Sequence, residues 1–157
     1  MFVSFDLSGV SFGIRRLMRS DLNDTYYSLL AQLTDMNKTC ITEEKSTEFY
    51  NTLNNNHQIY VIEEVTNKRV IGTGTILIER KLIHNYGLVG HIEDIVIDND
   101  YHHFGLGKIL VEYLTDICIF NKQCYKCILN CNEYNEPFYT KCGYKCNGLQ
   151  MSLYKKY

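Results

Sequence analysis

A chain of 157 residues, 45% hydrophobic and 22% charged, carries enough apolar material to close one core without staples, so a single domain over 1–157 is expected. Its formal charge of -2 gives no basic stripe for nucleic acid, and no apolar run reaches the length of a membrane span. The seven cysteines, an odd number concentrated in the second half apart from Cys40, form no regular disulfide framework and read as reduced thiols of a cytoplasmic protein. No secretory signal pattern opens the chain.

Phe12 to Leu17 reads as a short strand, and Ser20-Asp21 offers a cap for a helix with Leu22, Tyr26, Leu29, Leu30 and Leu33 on one face. The polar stretch from Thr34 to Cys40 breaks that periodicity. Thr42 then caps a second helix through Phe49, Tyr50 and Leu53, which the asparagine run 54–56 ends. Gln58 to Glu64 and Val70 to Glu79 are β-branched segments joined by a turn at Thr66-Asn67-Lys68, giving an antiparallel hairpin.

His91 to Ile97 has apolar residues at both parities, the pattern of a central strand covered on both faces. Glu93 and Asp94 are adjacent on it, so a regular strand sends them to opposite sides. From Leu106 the apolar positions Leu106, Ile109, Leu110, Tyr113, Leu114, Ile117 and Cys118 recur at helical spacing. Lys126 to Cys131 is the next strand. Asn135 is placed to cap a short helix with Pro137 in its first turn, and Gly143 to stop it. Tyr144 to Tyr154 has room for one or two terminal strands.

Between the central strand and the long helix lies His102-His103-Phe104-Gly105-Leu106-Gly107-Lys108. Two glycines ahead of a helix N-terminus leave backbone N–H groups and the positive helix end open to an anion. The pattern is neither a nucleotide P-loop, since no Lys-Ser or Lys-Thr pair follows, nor a three-glycine dinucleotide fingerprint. Taken alone, a plain glycine turn fits it equally well. Cys124-x-x-Cys127 has zinc-like spacing, but Cys127 and Cys131 fall in an expected strand without a second matched pair, so no metal is expected.

A central strand, the glycine loop, a helix, a strand and then Asn-x-x-x-Tyr resembles the acetyl-CoA-dependent N-acetyltransferase (GNAT) superfamily. AQLT (31–34), TILIERKLIH (75–84), GHIEDIVI (90–97), CYKCILNC (124–131) and FYTKCGY (138–144) narrow this to a resemblance to the glucosamine 6-phosphate N-acetyltransferase family. The resemblance implies an α/β GNAT acyl-CoA N-acyltransferase fold. Its central sheet is mixed, mostly antiparallel and splayed at its middle, with helices on both faces. It also implies acetyl transfer from acetyl-CoA to the 2-amino group of glucosamine 6-phosphate, a step toward UDP-N-acetylglucosamine, and a homodimer whose C-terminal strand crosses to the partner.

By the same resemblance, Ile95, Val96 and Ile97 pair with the pantetheine arm, and His102 to Lys108 with Asn135 and Tyr139 hold CoA. Glu93, Asp94, Asn130 and Tyr139 carry the chemistry, with Tyr139 donating to the departing sulfur. The proton of the sugar amine leaves by an acidic side chain, a backbone carbonyl or water. Thr34, Lys81, Leu82, Ile83, His84, Glu93, Asp94 and Asn130 line the sugar site. Where the family carries a phosphate-binding arginine this chain has Tyr154, followed by Lys155 and Lys156, and Lys155 is the expected substitute. His102 and His103 depart from the family loop, which predicts an acetyl-CoA KM that rises as pH climbs through about 6.5. The alternatives are a GNAT enzyme for another primary amine and a CoA-binding module without catalysis.

Overall fold

The structure is a computed structural model that describes residues 2–36 and 40–155. Asn37 to Thr39, within the polar break after the first helix, and Lys156 lie outside the described residues.

Strands β1 (Val3–Leu7), β2 (Val10–Arg16), β3 (His57–Glu64), β4 (Arg69–Arg80), β5 (Leu88–Ile97) and β6 (Cys124–Leu129) form one six-stranded sheet in sequence order. Neighbours are antiparallel from β1 to β5, and β5 and β6 are parallel. A parallel pair needs a crossover, and α4 (Leu106–Asp116) with the turn Ile117–Asn121 supplies it. Helices α1 (Asp24–Leu30) and α2 (Glu43–Thr52) join β2 to β3, the single turn α3 (Ile83–Tyr86) joins β4 to β5, and α5 (Glu136–Lys141) follows β6.

Alternation along the strands divides the core. Phe12, Ile14, Tyr60, Ile62, Ile76 and Ile92 pack with Leu106, Leu110 and Leu114 of α4. Ile59, Val61, Val70 and Val96 pack with Tyr26 and Leu29 of α1. Successive residues of β3 thus feed opposite clusters, so helices cover both faces of the sheet.

Four local expectations are corrected. The chain opens on a β1–β2 hairpin rather than a lone strand, turning at Ser8 and Gly9, both with positive φ. The first helix is capped by Asn23, whose side chain accepts from the Thr25 and Tyr26 amides. Asp21 instead accepts from the Met18 amide and from Arg15, and Leu33 falls beyond the helix. Asn132, not Asn135, gives the cap before α5, accepting from the Asn135 amide at 3.0 Å. Residues 144–155 form no strand among the described residues, and Leu149, Met151, Leu153 and Tyr154 are exposed. Thr42 caps α2 as expected.

Candidate active site

The β5–β6 ladder runs from Leu88↔Cys124 to Ile92↔Leu129, so Glu93 to Ile97 pair with β4 alone. The sheet opens where the parallel pairing stops, leaving a strand edge able to take an added extended segment.

A bulge sits at the same place. Thr73 pairs with Val96 and Thr75 with Glu93, so Gly74 alone faces Asp94 and Ile95. Asp94 adopts φ 53°, a left-handed conformation uncommon for a residue with a side chain. A Cβ at Gly74 would lie 2.4 Å from Ile95 Cδ1 and 2.8 Å from Leu114 Cδ1, so glycine is required opposite the bulge. The extra residue breaks the regular alternation expected for Glu93 and Asp94. Ile92 and Ile95, three apart, both join the cluster under α4. Glu93 is half-buried and Asp94 exposed.

Past β5, Asn99–Phe104 forms a 3-10 turn and Gly105 begins α4 at φ 71°. That angle favours glycine, and beyond its neighbours and its own helix no atom of the described residues lies within 4 Å of where its Cβ would be. Gly105 has no side chain to cap α4, and while the Lys108 amide bonds the Gly105 carbonyl, the helix start carries no side-chain cap at its positive end. A Cβ on Gly107 would stand 3.4 Å from Phe138 and 3.7 Å from Ile97, which places the helix start against both α5 and the end of β5.

His102 turns back toward the strand, with Nε2 2.8 Å from the Ile97 carbonyl oxygen. A carbonyl only accepts, so Nε2 carries a proton, and Nδ1 donates to an anion only when it is protonated as well. Phe104 packs on Phe12 and belongs to the core, and exposed His103 lies against it at 4.1 Å between ring centres. Exposed Lys108 pairs with Glu112 at 3.3 Å.

Tyr139 stands on α5, next to the Phe138 that lies against Gly107. Burial raises its hydroxyl pKa, with added pressure from Cys131, Cys142 and Glu93, so the phenol keeps its proton through the neutral range. Burial also raises the Glu93 pKa, reinforced by Asp94 and opposed by His91. The charge of Glu93, at the free β5 edge, is thus the last of the influences that raise the Tyr139 pKa. Asn130 lies one residue past β6, exposed, and Asn135 directly precedes α5 with its side chain uncommitted to the cap.

The pattern of the acetyltransferase (GNAT) family matches residues 20–144. Glucosamine 6-phosphate N-acetyltransferase of Arabidopsis thaliana is 40% identical over 145 residues, 92% of this chain and 97% of that protein. The Dictyostelium discoideum glucosamine 6-phosphate N-acetyltransferase 1 is 38% identical over 93% of this chain and 91% of its own. The crystal structure of the Arabidopsis protein superposes with a TM-score of 0.86 at 39% identity, covering 92% of this chain and 99% of that one. The chain belongs to the GNAT family, among the glucosamine 6-phosphate N-acetyltransferases.

In this GNAT protein the Lys81 to His84 segment forms the β4–β5 connection. Lys81 Nζ pairs with Glu79, whose other oxygen lies 3.0 Å from His91 Nε2. Both contacts, Lys81 first, lower the Glu79 pKa. Leu82 and Ile83 are exposed, and the His84 ring lies 4.5 Å from that of Tyr125. His84, Asn85 and Tyr86 all have positive φ, so this tip is a tightly wound turn rather than a regular helix. Thr34 is exposed just beyond α1, its amide bonded to the Leu30 carbonyl. Lys155 lies in the terminal segment, which forms no strand among the described residues.

The opened edge, the bulge and Glu93 lie together on β5, and α5 with Tyr139 packs against the start of α4 through Phe138, while Thr34, the 81–84 loop and Lys155 stand on separate segments. Gly74 and the Glu79–His91 pair were not singled out in the sequence. A glycine inside the β-branched run of β4 was the available sign of the bulge opposite.

Proposed function

We propose that this GNAT enzyme moves the acetyl group of acetyl-CoA to the 2-amino group of glucosamine 6-phosphate, giving N-acetylglucosamine 6-phosphate and CoA by direct attack in a ternary complex. The product lies on the route to UDP-N-acetylglucosamine. The observation that carries this reading is the free edge of β5 where the β5–β6 ladder ends, with Glu93 on it and the glycine start of α4 just beyond.

Bound acetyl-CoA supplies a thioester-activated acetyl group. The open space at Gly105 and the uncapped start of α4 fit its pyrophosphate, with Gly107 and Lys108 in the same turn. Ile95, Val96 and Ile97 offer backbone groups to its pantetheine arm, and Asn135 adds a side-chain amide. A β5 edge amide receives the negative charge that develops on the acetyl oxygen. Glu93 and Asp94 hold the sugar amine, and Glu93 takes its proton directly or through water. Tyr139 gives a hydrogen bond or proton to the departing sulfur. Lys81 and His84 of the β4–β5 connection, Thr34 beyond α1 and Asn130 beyond β6 are the further groups assigned to the sugar.

Gly105→Ala tests the cradle. An L-residue at φ 71° is strained by about 1–2 kcal/mol, and the added Cβ intrudes on the anion space. The acetyl-CoA KM is expected to rise about tenfold, equivalent to about 1.4 kcal/mol, with the sugar KM unchanged. An unchanged acetyl-CoA KM removes the cradle.

The exposed, apolar-alternating tail Leu149-x-Met151-x-Leu153 finds no partner strand in its own chain among the described residues. It is assigned to a homodimer in which this segment pairs with the partner and brings Lys155 to the phosphate. Sedimentation at micromolar protein is expected to give twice the 18.4 kDa chain mass, and a monomer dissociates Lys155 from the site.

The substrate is tested by mixing the protein with acetyl-CoA and a panel of amines, with products read by mass spectrometry. Acetylated glucosamine 6-phosphate, with unphosphorylated glucosamine, spermidine and a peptide left unmodified, is expected. Acetylation of a different amine overturns the substrate, and absence of any product overturns catalysis.

A further inference from the structure

Behind the opened edge, at the closed part of the β5–β6 ladder, a group of thiols takes no part in the chemistry above. Cys127 of β6 pairs with Gly90 of β5, and Cys118 comes down from the turn after α4. A Cβ at Gly90 would lie 2.6 Å from Cys118 Sγ and 3.6 Å from Cys127 Sγ, so both sulfurs converge on the space that glycine leaves. Cys118 is fully buried and Cys127 half-buried. An oxidant arriving from solvent therefore meets Cys127 first, with Cys118 behind it.

The Tyr144 hydroxyl donates to Cys127 Sγ at 3.3 Å and lies 2.7 Å from Thr115 Oγ1. Donation from the Cys118 thiol, then from Tyr144, brings the Cys127 pKa down to about 7 despite its burial. The same interaction with Cys127 pushes Cys118 upward. This is the pattern of one attacking thiolate and one resolving thiol. The cluster also touches the candidate site. The Tyr144 amide donates to the Tyr139 carbonyl at 3.0 Å, and their rings meet edge-on at 6.4 Å.

We propose that Cys118 and Cys127 form a reversible disulfide beside Gly90, with Cys127 as the attacking sulfur, and that closing it slows acetyl transfer by releasing Tyr144. The Cys127 thiolate attacks one oxygen of a peroxide. The O–O bond breaks, giving a sulfenic acid, and the departing hydroxide is protonated to water. Cys118 sulfur then displaces the second oxygen as water, its own proton going to that leaving group. Two thiols lose two electrons, and hydrogen peroxide becomes two waters. The disulfide leaves Cys127 without the charge that held Tyr144, and so loosens the support of Tyr139. This last link rests on the proposed role of Tyr139, whereas the disulfide does not.

The test oxidises the purified protein with hydrogen peroxide, blocks remaining thiols and maps tryptic peptides, since cleavage after Lys122 and Lys126 separates Cys118, Cys124 and Cys127. A Cys118–Cys127 cross-link with loss of two hydrogens is expected. It should come with at least a fivefold lower kcat, KM values within twofold, and recovery in dithiothreitol. Cys118→Ala is expected to keep its basal rate and to stay active after peroxide. Both cysteines found unlinked in the oxidised protein overturn the disulfide, even if the untreated enzyme makes no product. A cross-link with an unchanged rate, or a Cys118→Ala variant inactivated as fast as the parent, overturns the control of activity. If Cys118→Ala fails to fold, the alkylation rate of Cys127 in the parent decides the attacking sulfur. A midpoint near pH 7, moved upward by Tyr144→Phe, is expected, and a midpoint at the ordinary cysteine value of about 8.5 overturns it.

Discussion

Tyr139→Phe is expected to lower kcat about 100-fold, the lower range for loss of a general acid, while the acetyl-CoA KM stays within about twofold. The substitution removes one oxygen and keeps the ring that packs on Phe138 and Tyr144. Burial keeps the phenol protonated, so the parent holds a proton ready for a leaving sulfur throughout the neutral range. If instead the hydroxyl only fills space, the two proteins turn over equally. Because the backbone cradle at Gly105 and the β5 edge are untouched, a large loss in acetyl-CoA binding would assign Tyr139 to the cofactor and not to the departing thiolate. Steady-state kinetics with both substrates varied separate these outcomes.

Glu93→Gln is expected to cost a similar factor in kcat/KM, and its pH profile carries more information than its rate. A group that holds an ammonium or accepts its proton works in the charged form. Burial, assisted by Asp94, raises the Glu93 pKa above the ordinary glutamate value, so the charged form is lost as pH falls through that raised value. The parent should therefore show an acid limb in kcat/KM lying above about pH 4.3, the unperturbed glutamate value, and Glu93→Gln should lack it. Asp94→Asn at the exposed bulge position should move the limb toward lower pH by removing the neighbouring negative charge. A Glu93→Gln profile identical in shape to the parent's transfers the proton to another group.

Much of this site was legible in the chain. The helix from Leu106 is strongly periodic, and a glycine at its start is needed because φ is 71° there, so the loop and its helix follow directly from residue types. The hairpin at Ser8 and Gly9 was missed, although Val3, Phe5 and Leu7 alternate with Ser4 and Asp6 before a Ser-Gly turn. Other features depend on tertiary partners. Ser20, Asp21 and Asn23 all suit a helix cap, and the choice falls on Asn23 because Arg15 engages the Asp21 carboxylate. Similarly, Asp94 reads as one more residue of an alternating strand until Gly74 across the ladder makes room for a bulge. His102 was read as a phosphate ligand, yet the nearer partner is the carbonyl at the end of its own preceding strand. Tyr144 to Tyr154 reads as one or two terminal strands, and the described residues of that stretch form none.

A crystal structure of the protein with CoA and N-acetylglucosamine 6-phosphate addresses the placement of the reaction most directly. The CoA sulfur is expected within hydrogen-bonding reach of the Tyr139 hydroxyl, the pantetheine beside Ile95 to Ile97, and the product amide nitrogen next to Glu93. Products bound elsewhere, or a sulfur and amide lying away from the opening between β5 and β6, would contradict the assignment of that opening as the place where the acetyl group changes hands.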